Sequence, residues 1–352
     1  MKTTLARLCG ALAIALTAAA PLAAHAASLD LSRYRLSATY AAGVGEASAI
    51  TYNWDNDSLF IVGDGVNFTE LTTSGKIYSY PLSGTSGSGS NAFKDTEGIA
   101  YVGNGQYLLT DERAMTLSLI SPEATWDMGN GLTRTAYSSK PDSPTYTFGP
   151  TSPNQGLEGV SYERSTGKIF AIKETQPQGV YEADIQFGAT TTGTHFEMFD
   201  PALLGVETLS DISVLSNTAS FAQSAFKDNL LVLSASSQLL LEITRSGEVL
   251  SSLSLAGMGT KIEGLTLDKA GTIYLVGEGG GPGGGSALLV LSAVPEPGTY
   301  ALMLAGLATL ICVEAKGRQT PDDRLEDQLV ENCVREDLKP VEQARAFRAL
   351  LD

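Results

Sequence analysis

Short runs of alternating apolar and polar residues, about five residues each, recur along the central part of the chain. The stretch 94–113, KDTEGIAYVGNGQYLLTDER, holds two such runs on either side of a Gly-Asn-Gly turn. A period of two is typical of β-strands, and a short glycine turn joins antiparallel neighbours, so the stretch predicts a β-hairpin. Acidic residues flank the open end of this hairpin on both strands: Asp95, Glu97, Asp111 and Glu112.

The same hairpin pattern occurs five times in the chain. An acidic residue opens each copy: Glu46, Glu97, Glu158, Asp211 and Glu263. These acids lie about 50 to 60 residues apart, and further short strands such as 179–185 follow the hairpins. This period is typical of a β-propeller, whose blades bury their faces against one another. We expect an all-β, five-bladed propeller over 27–293, with strand 33–41 completing the last blade. The alternative is six blades, with a degenerate blade in 114–156.

The hairpin ends predict a cluster of carboxylates at one mouth of the central channel. The first strand of a blade normally lines this channel, and its start lies beside the end of the second strand. The acids that close the second strands are Asp64, Glu112, Glu174 and Glu278. Like charges at short range repel by about 1–4 kcal/mol per pair, which a cation would relieve. Oxygen ligands without nearby His or Cys favour Ca²⁺.

The sequence therefore predicts a calcium site, with the closing acids arranged around the ligands. The predicted ligands are Glu46, Glu97, Glu158, Asp211 and Glu263. The alternative role of these five acids is structural, since each could accept hydrogen bonds from backbone N–H groups of the neighbouring blade. The two roles are compatible.

Charge and composition exclude several functions. The net charge is −16, which disfavours binding to nucleic acid and to anionic membrane surfaces. The three cysteines, Cys9, Cys312 and Cys333, all lie outside 27–311, so the central domain has no disulfide or thiolate site. Its lone His195 has no recognisable nucleophile motif around it and indicates a surface residue.

The two ends of the chain carry sequences that resemble targeting signals. Residues 1–26 begin with basic residues, continue with an apolar run and end with Ala-His-Ala, whose small alanines suit a cleavage site. This pattern is typical of a secretory signal peptide cleaved after Ala26. VPEPGTYALMLAGLA, at 294–308, resembles the PEP-CTERM sorting signal, whose motif here is Pro295, Glu296 and Pro297. The resemblance implies an exosortase as partner and export to the periplasm, outer envelope or extracellular matrix of a Gram-negative bacterium.

The chain after 294 departs from that sorting signal. The apolar run ends at Val313, short of the roughly 20 residues that span a bilayer, so 294–313 would be a short or transient anchor. The segments VEN, REDL and PVEQARAF in 325–352 resemble a fragment of a ParB-type partition protein. We interpret 314–352 as a helical tail acquired through a fusion or a frameshift, without DNA binding.

Four stretches of the central domain resemble the SdiA-regulated family of exported bacterial propellers. They are DTEGIAYVGNGQYLLTDER, GLEGVSYERSTGKIFAIKE, LLVLSASSQLLLEI and IEGLTLDKAGTIYLVGE. The resemblance covers about 46–292 and implies a five-bladed propeller related to NHL repeats, with a calcium site. Where the family has Ser-Asp-Glu-Ser in the fourth blade, this chain has Ser-Ala-Ser-Ser at 234–237, which implies a ring of acids open on that side.

These patterns favour a binding function. The sequence predicts an exported monomer that holds Ca²⁺ and binds a small ligand, an extracellular polysaccharide or another matrix component at the acidic mouth. The alternative is a calcium-dependent phosphoester or lactone hydrolase, in which Lys173 and Arg113 would help to hold an anion. A third interpretation is a structural matrix protein whose propeller mediates adhesion.

Overall fold

The computed structural model describes residues 28–63, 68–80, 82–83, 93 and 95–294. The chain divides into two compact units, Met1–Ala293 and Val294–Asp352, and only Val294 of the second unit is described. The signal segment, Asp64, the sorting motif and the tail lie outside the described residues. Among the described residues, no helix has the length and apolar character that crossing a bilayer requires.

Five sheets form the five blades of a propeller, which confirms the predicted fold. Strands are numbered in chain order, and the strands of each blade follow one another from the channel outward. Blade 1 contains β2 (Ala47–Asn53), β3 (Ser58–Gly63), β4 (Phe68–Thr72) and β5 (Ile77–Ser79). Blade 2 contains β7 (Ile99–Gly103), β8 (Gln106–Asp111), β9 (Thr116–Ile120) and β12 (Thr145–Thr147). Blade 3 contains β13 (Leu157–Tyr162), β14 (Ile169–Lys173), β15 (Gly179–Gln186) and β16 (Thr192–Glu197).

The remaining two blades follow the same order. Blade 4 contains β17 (Asp211–Val214), β18 (Leu230–Ser234), β19 (Leu239–Ile243) and β20 (Val249–Ser254). Blade 5 contains β21 (Thr260–Leu267), β22 (Ile273–Gly280), β23 (Ser286–Ala293) and β1 (Tyr34–Ala41). The inner strand of each blade contacts the inner strands of its neighbours, and β21 contacts β2, so the ring is closed.

The N-terminal strand closes the ring, as the sequence predicted. β1 pairs antiparallel with β23 and becomes the outermost strand of blade 5. The segment before it is tied to blade 4, because the backbone N–H of Leu29 donates to Glu242 Oε1 over 2.8 Å. Strands from opposite ends of the propeller thus share one sheet, which couples the stability of the first and last blades.

The expectation of a sixth blade in 114–156 is wrong. Within this segment β9 and β12 belong to blade 2, and the residues between them form a hairpin of β10 (Pro122–Gly129) and β11 (Leu132–Tyr137). β11 runs parallel to β5 and to the short β6 (Leu82–Ser83), so the hairpin extends the outer edge of blade 1. Hydrophobic periodicity identified the strands but not the sheet that they join, since that pairing is not local.

Apolar side chains fill the interfaces between neighbouring blades. One buried cluster, for example, joins Phe60 and Val62 of blade 1 to Tyr107 and Leu109 of blade 2. Equivalent clusters occupy the other interfaces of the described propeller. Each blade therefore buries its two faces against its neighbours, which leaves the strand ends to form the two mouths of the channel.

Short 3₁₀ helices complete the described secondary structure. They span Leu31–Arg33, Lys140–Asp142, Pro201–Leu204, Leu215–Asn217 and Ala219–Phe221.

Candidate metal centre

The strand register defines which residues are equivalent at the acidic mouth. In each blade, one apolar residue of the inner strand lies opposite an apolar residue of the second strand. These pairs are Ile50–Ile61, Ile99–Leu109, Val160–Ala171, Ile212–Val232 and Leu265–Leu275. Two residues before the inner-strand residue of each pair lie the equivalent positions of the five blades. They are Ser48, Glu97, Glu158, Ser210 and Glu263. Three of the five predicted ligands are thus equivalent.

The other two predicted ligands lie out of this register. Glu46 is two residues before the equivalent Ser48, and it is exposed to solvent. Asp211 is one residue after the equivalent Ser210 and is only 2% exposed. Its Oδ1 accepts from the backbone N–H of Ile212 over 2.8 Å, and its Oδ2 accepts from that of Leu265 over 2.6 Å. Asp211 therefore has the structural role that the sequence offered as the alternative.

Asp211 occupies the position at which three other blades have glycine. These residues are Gly98, Gly159 and Gly264. A Cβ on Gly159 would lie 2.5 Å from Asp211 Cα, and one on Gly98 would lie 2.2 Å from the carbonyl oxygen of Glu158. The inner strands approach too closely for a side chain at this level, which explains the repeated Glu-Gly pairs.

Three glutamates of blades 2 and 3 converge at the mouth. Glu158 is the second residue of β13, whereas Glu112 and Glu174 directly follow β8 and β14, at the predicted closing positions. One carboxylate oxygen from each of the three lies within 4.8 Å of the others. Glu112 is 3% exposed, and the backbone N–H of Gly156 donates to its Oε1 over 3.3 Å.

Burial and mutual repulsion disfavour ionisation of this cluster. Burial raises the pKa of Glu158 well above its usual range, and neighbouring carboxylates raise it further: Glu97, Glu112, Glu174 and Glu263. Burial also raises the pKa of Glu112, although the backbone hydrogen bond from Gly156 opposes the shift. Burial, followed by the charge of Glu112, raises the pKa of Glu174. The mouth therefore retains protons that isolated glutamates would release.

Blade 5 contributes a carboxylate pair that is bridged by a lysine. Lys261 Nζ lies 2.5 Å from Glu278 Oε1 and 3.3 Å from Glu263 Oε1. Burial raises the pKa of Glu263 to about 7, although Lys261 opposes the shift and Glu278 and Glu97 add to it. The sequence prediction overlooked Lys261. Its position two residues before Glu263 on the same strand could have indicated it, because residues two apart in a strand lie on the same face.

The two cations proposed to hold an anion are engaged elsewhere. Lys173 Nζ donates to the carbonyl oxygens of Thr175 and Pro177 over 2.6 and 2.9 Å. Arg113 pairs with Asp95 over 2.5 Å at the periphery of the mouth. These contacts leave the carboxylates as the main charged groups of the described site.

Blade 4 supplies no carboxylate at this level. Its opening and closing positions are Ser210 and Ala235, and the backbone N–H of Ala235 donates to Ser210 Oγ over 3.0 Å. The ring of acids is therefore open on the side of blade 4, as the family resemblance implied. The closing position of blade 1 is Asp64, which lies outside the described residues.

Comparison with known proteins gives one family match and several similar solved structures. A model of the SdiA-regulated family matches residues 24–281. The luciferin-regenerating enzyme is 11% identical, with 72% of this chain and 94% of that chain covered and a TM-score of 0.43. The PQQ-bound aldose sugar dehydrogenase of Streptomyces coelicolor is 12% identical, with 74% and 98% covered and a TM-score of 0.43.

A further similar structure is the β-propeller domain of Cps50 (Swd1) from Myceliophteria thermophila. It is 13% identical, and the TM-score is 0.35. The match covers 69% of this chain and 65% of that chain, slightly less than two thirds of its length. Likenesses this distant carry no argument about function.

Proposed function

This chain belongs to the SdiA-regulated family, and we propose that it is an exported, calcium-binding propeller whose acidic mouth binds a small ligand or an extracellular glycan. The observation that carries the proposal is the convergence of Glu112, Glu158 and Glu174 within 4.8 Å. Calcium binds oxygen at about 2.3–2.6 Å, so oxygens up to about 4.8 Å apart can share one ion.

The chemistry of the cluster fits this ion. The carboxylates are hard oxygen donors, and the central domain has no cysteine and only His195, which contacts Tyr146 between the outer strands of blades 2 and 3. Burial, followed by repulsion from neighbouring carboxylates, raises the pKa of Glu158, and a divalent cation that replaced the retained proton would relieve that repulsion. Glu97 and Glu263 are close enough to act on Glu158 electrostatically and would support the bound ion.

The opening on the side of blade 4 provides room for a ligand. Calcium takes about six to eight oxygen ligands, and three carboxylates need not supply all of them. Ser210 and Ala235 are small, so oxygens of a second molecule could complete the coordination from that side. Hydroxyl or carboxylate oxygens would suit the ion, which favours a sugar or a small organic acid.

Export agrees with the way the fold begins. Cleavage after Ala26 would leave Ser28 and Leu29 in place, and both donate hydrogen bonds to Glu242. The mature propeller would thus keep its closing strand. Secretion, sorting by an exosortase and residence in the envelope or matrix are parts of the proposal that rest on the sequence signals.

Calorimetric titration with CaCl₂ tests the metal site. The unmodified protein should bind Ca²⁺ with a discrete heat, and the Glu97→Gln/Glu158→Gln variant should lose it. Glu197→Gln/Glu248→Gln is the matched control, because it removes two exposed carboxylates, one at the end of the outermost strand of blade 3 and one in the turn between β19 and β20. Equal heats from the site variant and the unmodified protein would remove the proposed site.

One observation favours the hydrolase as a second candidate. A carboxyl group with a pKa of about 7, such as Glu263, suits a general base at neutral pH. A screen of phosphoesters and lactones with and without a chelator tests this function. Turnover that requires Ca²⁺ and disappears in Glu263→Gln would support it, whereas no turnover of any substrate would leave the binding function alone.

A further inference from the structure

The β10–β11 hairpin is an addition that the propeller ring does not need. It is inserted between β9 and β12 of blade 2, and β11 attaches to blade 1 through parallel pairing, with Thr133 opposite Ser79. The ring of inner strands involves other elements, and Tyr137 at the end of β11 packs into the interface between blades 1 and 2. β10, which contributes no residue to that cluster, is therefore available for a separate role.

β10 forms the outer edge of this extended sheet. All eight of its residues are exposed, so neither face of the strand rests on the propeller. Trp126 is 49% exposed and Met128 is 51% exposed, two of the largest apolar side chains on the described surface. An exposed edge strand presents unpaired backbone donors and acceptors, which are a template for another strand.

The charges at this edge indicate what kind of strand would fit. β10 carries two acids, Glu123 and Asp127, and no base. The nearest base, Arg134, lies on β11 directly opposite Trp126 and is partly buried. An incoming strand would therefore meet carboxylates near both ends of β10 and a large apolar side chain between them.

A second copy of this chain does not suit the edge. Antiparallel pairing of two copies about Thr125 would bring Glu123 of one chain beside Asp127 of the other. Each chain also carries a net charge of −16, so long-range repulsion opposes self-association. The same charges attract a cationic partner.

We propose that β10 is a docking strand for an extended, basic segment of another protein. The segment would add to the sheet edge through backbone hydrogen bonds, with basic residues near Glu123 and Asp127 and an apolar residue against Trp126. This site is separate from the acidic mouth, and it does not depend on Ca²⁺.

Tryptophan fluorescence gives a local test. The chain has two tryptophans, so Trp54→Phe leaves Trp126 as the sole reporter. The probe is a ten-residue peptide of alternating lysine and valine, and the matched peptide has glutamate in place of lysine. The lysine peptide should shift the emission of Trp126 to shorter wavelength, because pairing buries the ring, and the glutamate peptide should not. Emission unchanged by the lysine peptide at millimolar concentration would overturn the proposal.

A charge reversal identifies the partner residues. Glu123→Lys/Asp127→Lys should weaken binding of the lysine peptide about tenfold and allow the glutamate peptide to bind, since exposed ion pairs contribute about 0.2–1 kcal/mol each. Glu197→Lys/Glu248→Lys makes the same change in net charge elsewhere and should have a much smaller effect. Equal weakening by both variants would overturn the docking site, as would dimerisation of the unmodified chain through β10 in size-exclusion chromatography.

Discussion

A carboxylate oxygen of Glu112 lies within 4.8 Å of a carboxylate oxygen of Glu158, across the boundary between blades 2 and 3. Burial, followed by the charges of neighbouring carboxylates, raises the pKa of Glu158, and burial raises that of Glu112, so both groups hold their protons to a higher pH than isolated glutamates do. A cation can take the place of such a proton, which links metal binding, pH and stability in this protein.

Stability of the chelated protein should fall as the pH rises from 5 to 8. Burial raises the pKa of Glu263 to about 7 and that of Glu158 well above its usual range, so the folded state holds more protons than the unfolded state. Such groups stabilise the fold below the unfolded pKa near 4.5 and lose this contribution as the pH passes the folded pKa. Thermal unfolding in a chelator at several pH values measures the effect.

Glu158→Gln isolates the contribution of one proton. The amide has nearly the size and shape of the protonated acid, but it never ionises. We expect it to raise the free energy of unfolding by about 1–3 kcal/mol at pH 8 and to change it little at pH 4, below the unfolded pKa. The difference between the two proteins cancels other titrating groups, including His195, whose lowered pKa acts in the opposite direction. An identical pH dependence in the two proteins would contradict the raised pKa of Glu158.

Gly159→Ala should destabilise the propeller by about 1–3 kcal/mol or more. The new Cβ would lie 2.5 Å from both Cα and Oδ1 of Asp211, which is held by backbone N–H groups and cannot move freely. Gly149→Ala is the control, because nothing lies within 4 Å of its Cβ position. Urea unfolding of the two variants should separate them, and equal midpoints would show that the inner strands tolerate a side chain at this level.

Lys261→Gln should strengthen calcium binding at pH 8 by about threefold to tenfold. Lys261 holds a positive charge 3.3 Å from Glu263 and 2.5 Å from Glu278, and removing it lowers the repulsion that an incoming cation experiences. Lys168→Gln, which breaks an ion pair with Glu182 on blade 3, should leave the affinity unchanged. Weaker binding in Lys261→Gln would mean that the lysine organises the site.

Glu242→Leu should destabilise the closure of the ring by about 3 kcal/mol. Its Oε1 accepts from the backbone N–H of Leu29 and from Asn229 Nδ2, each over 2.8 Å, and its Oε2 accepts from the hydroxyls of Ser28 and Ser251. Glu242→Gln should cost less than about 1 kcal/mol, because both serine hydroxyls can turn to accept from the amide. Hydrogen exchange of β1 measures the loss, and equal exchange in the two variants would contradict this role.

Sequence periodicity was enough to predict the five blades and the closing strand. Each hairpin is formed by residues close together in the sequence, and the alternation of apolar and polar residues indicates which face is buried. The repeat could therefore be recognised without tertiary information. The docking of β10 and β11 on blade 1 was not predictable in this way. β5 and β6, with which β11 pairs, lie about 50 residues earlier in the chain. The alternation of apolar and polar residues does not indicate which strand will be the pairing partner.

The register of the acids was predictable only where the Glu-Gly pair is intact. Blades 2, 3 and 5 have the pair, and their glutamates are equivalent in the structure. Blade 4 has Ser210 and Asp211 instead, and its nearest acid falls one residue later, which turns the side chain toward the backbone of the neighbouring strands. Blade 1 has Ser48 and Ala49, so its nearest acid, Glu46, lies outside the strand.

The most direct test of the cation site is a crystal structure of the protein grown with CaCl₂, with anomalous scattering data collected from the same crystal. The proposal predicts an anomalous peak between Glu112, Glu158 and Glu174, with carboxylate oxygens at about 2.3–2.6 Å from it. A difference map with only hydrogen-bonded water at that position, in crystals saturated with calcium, would contradict it.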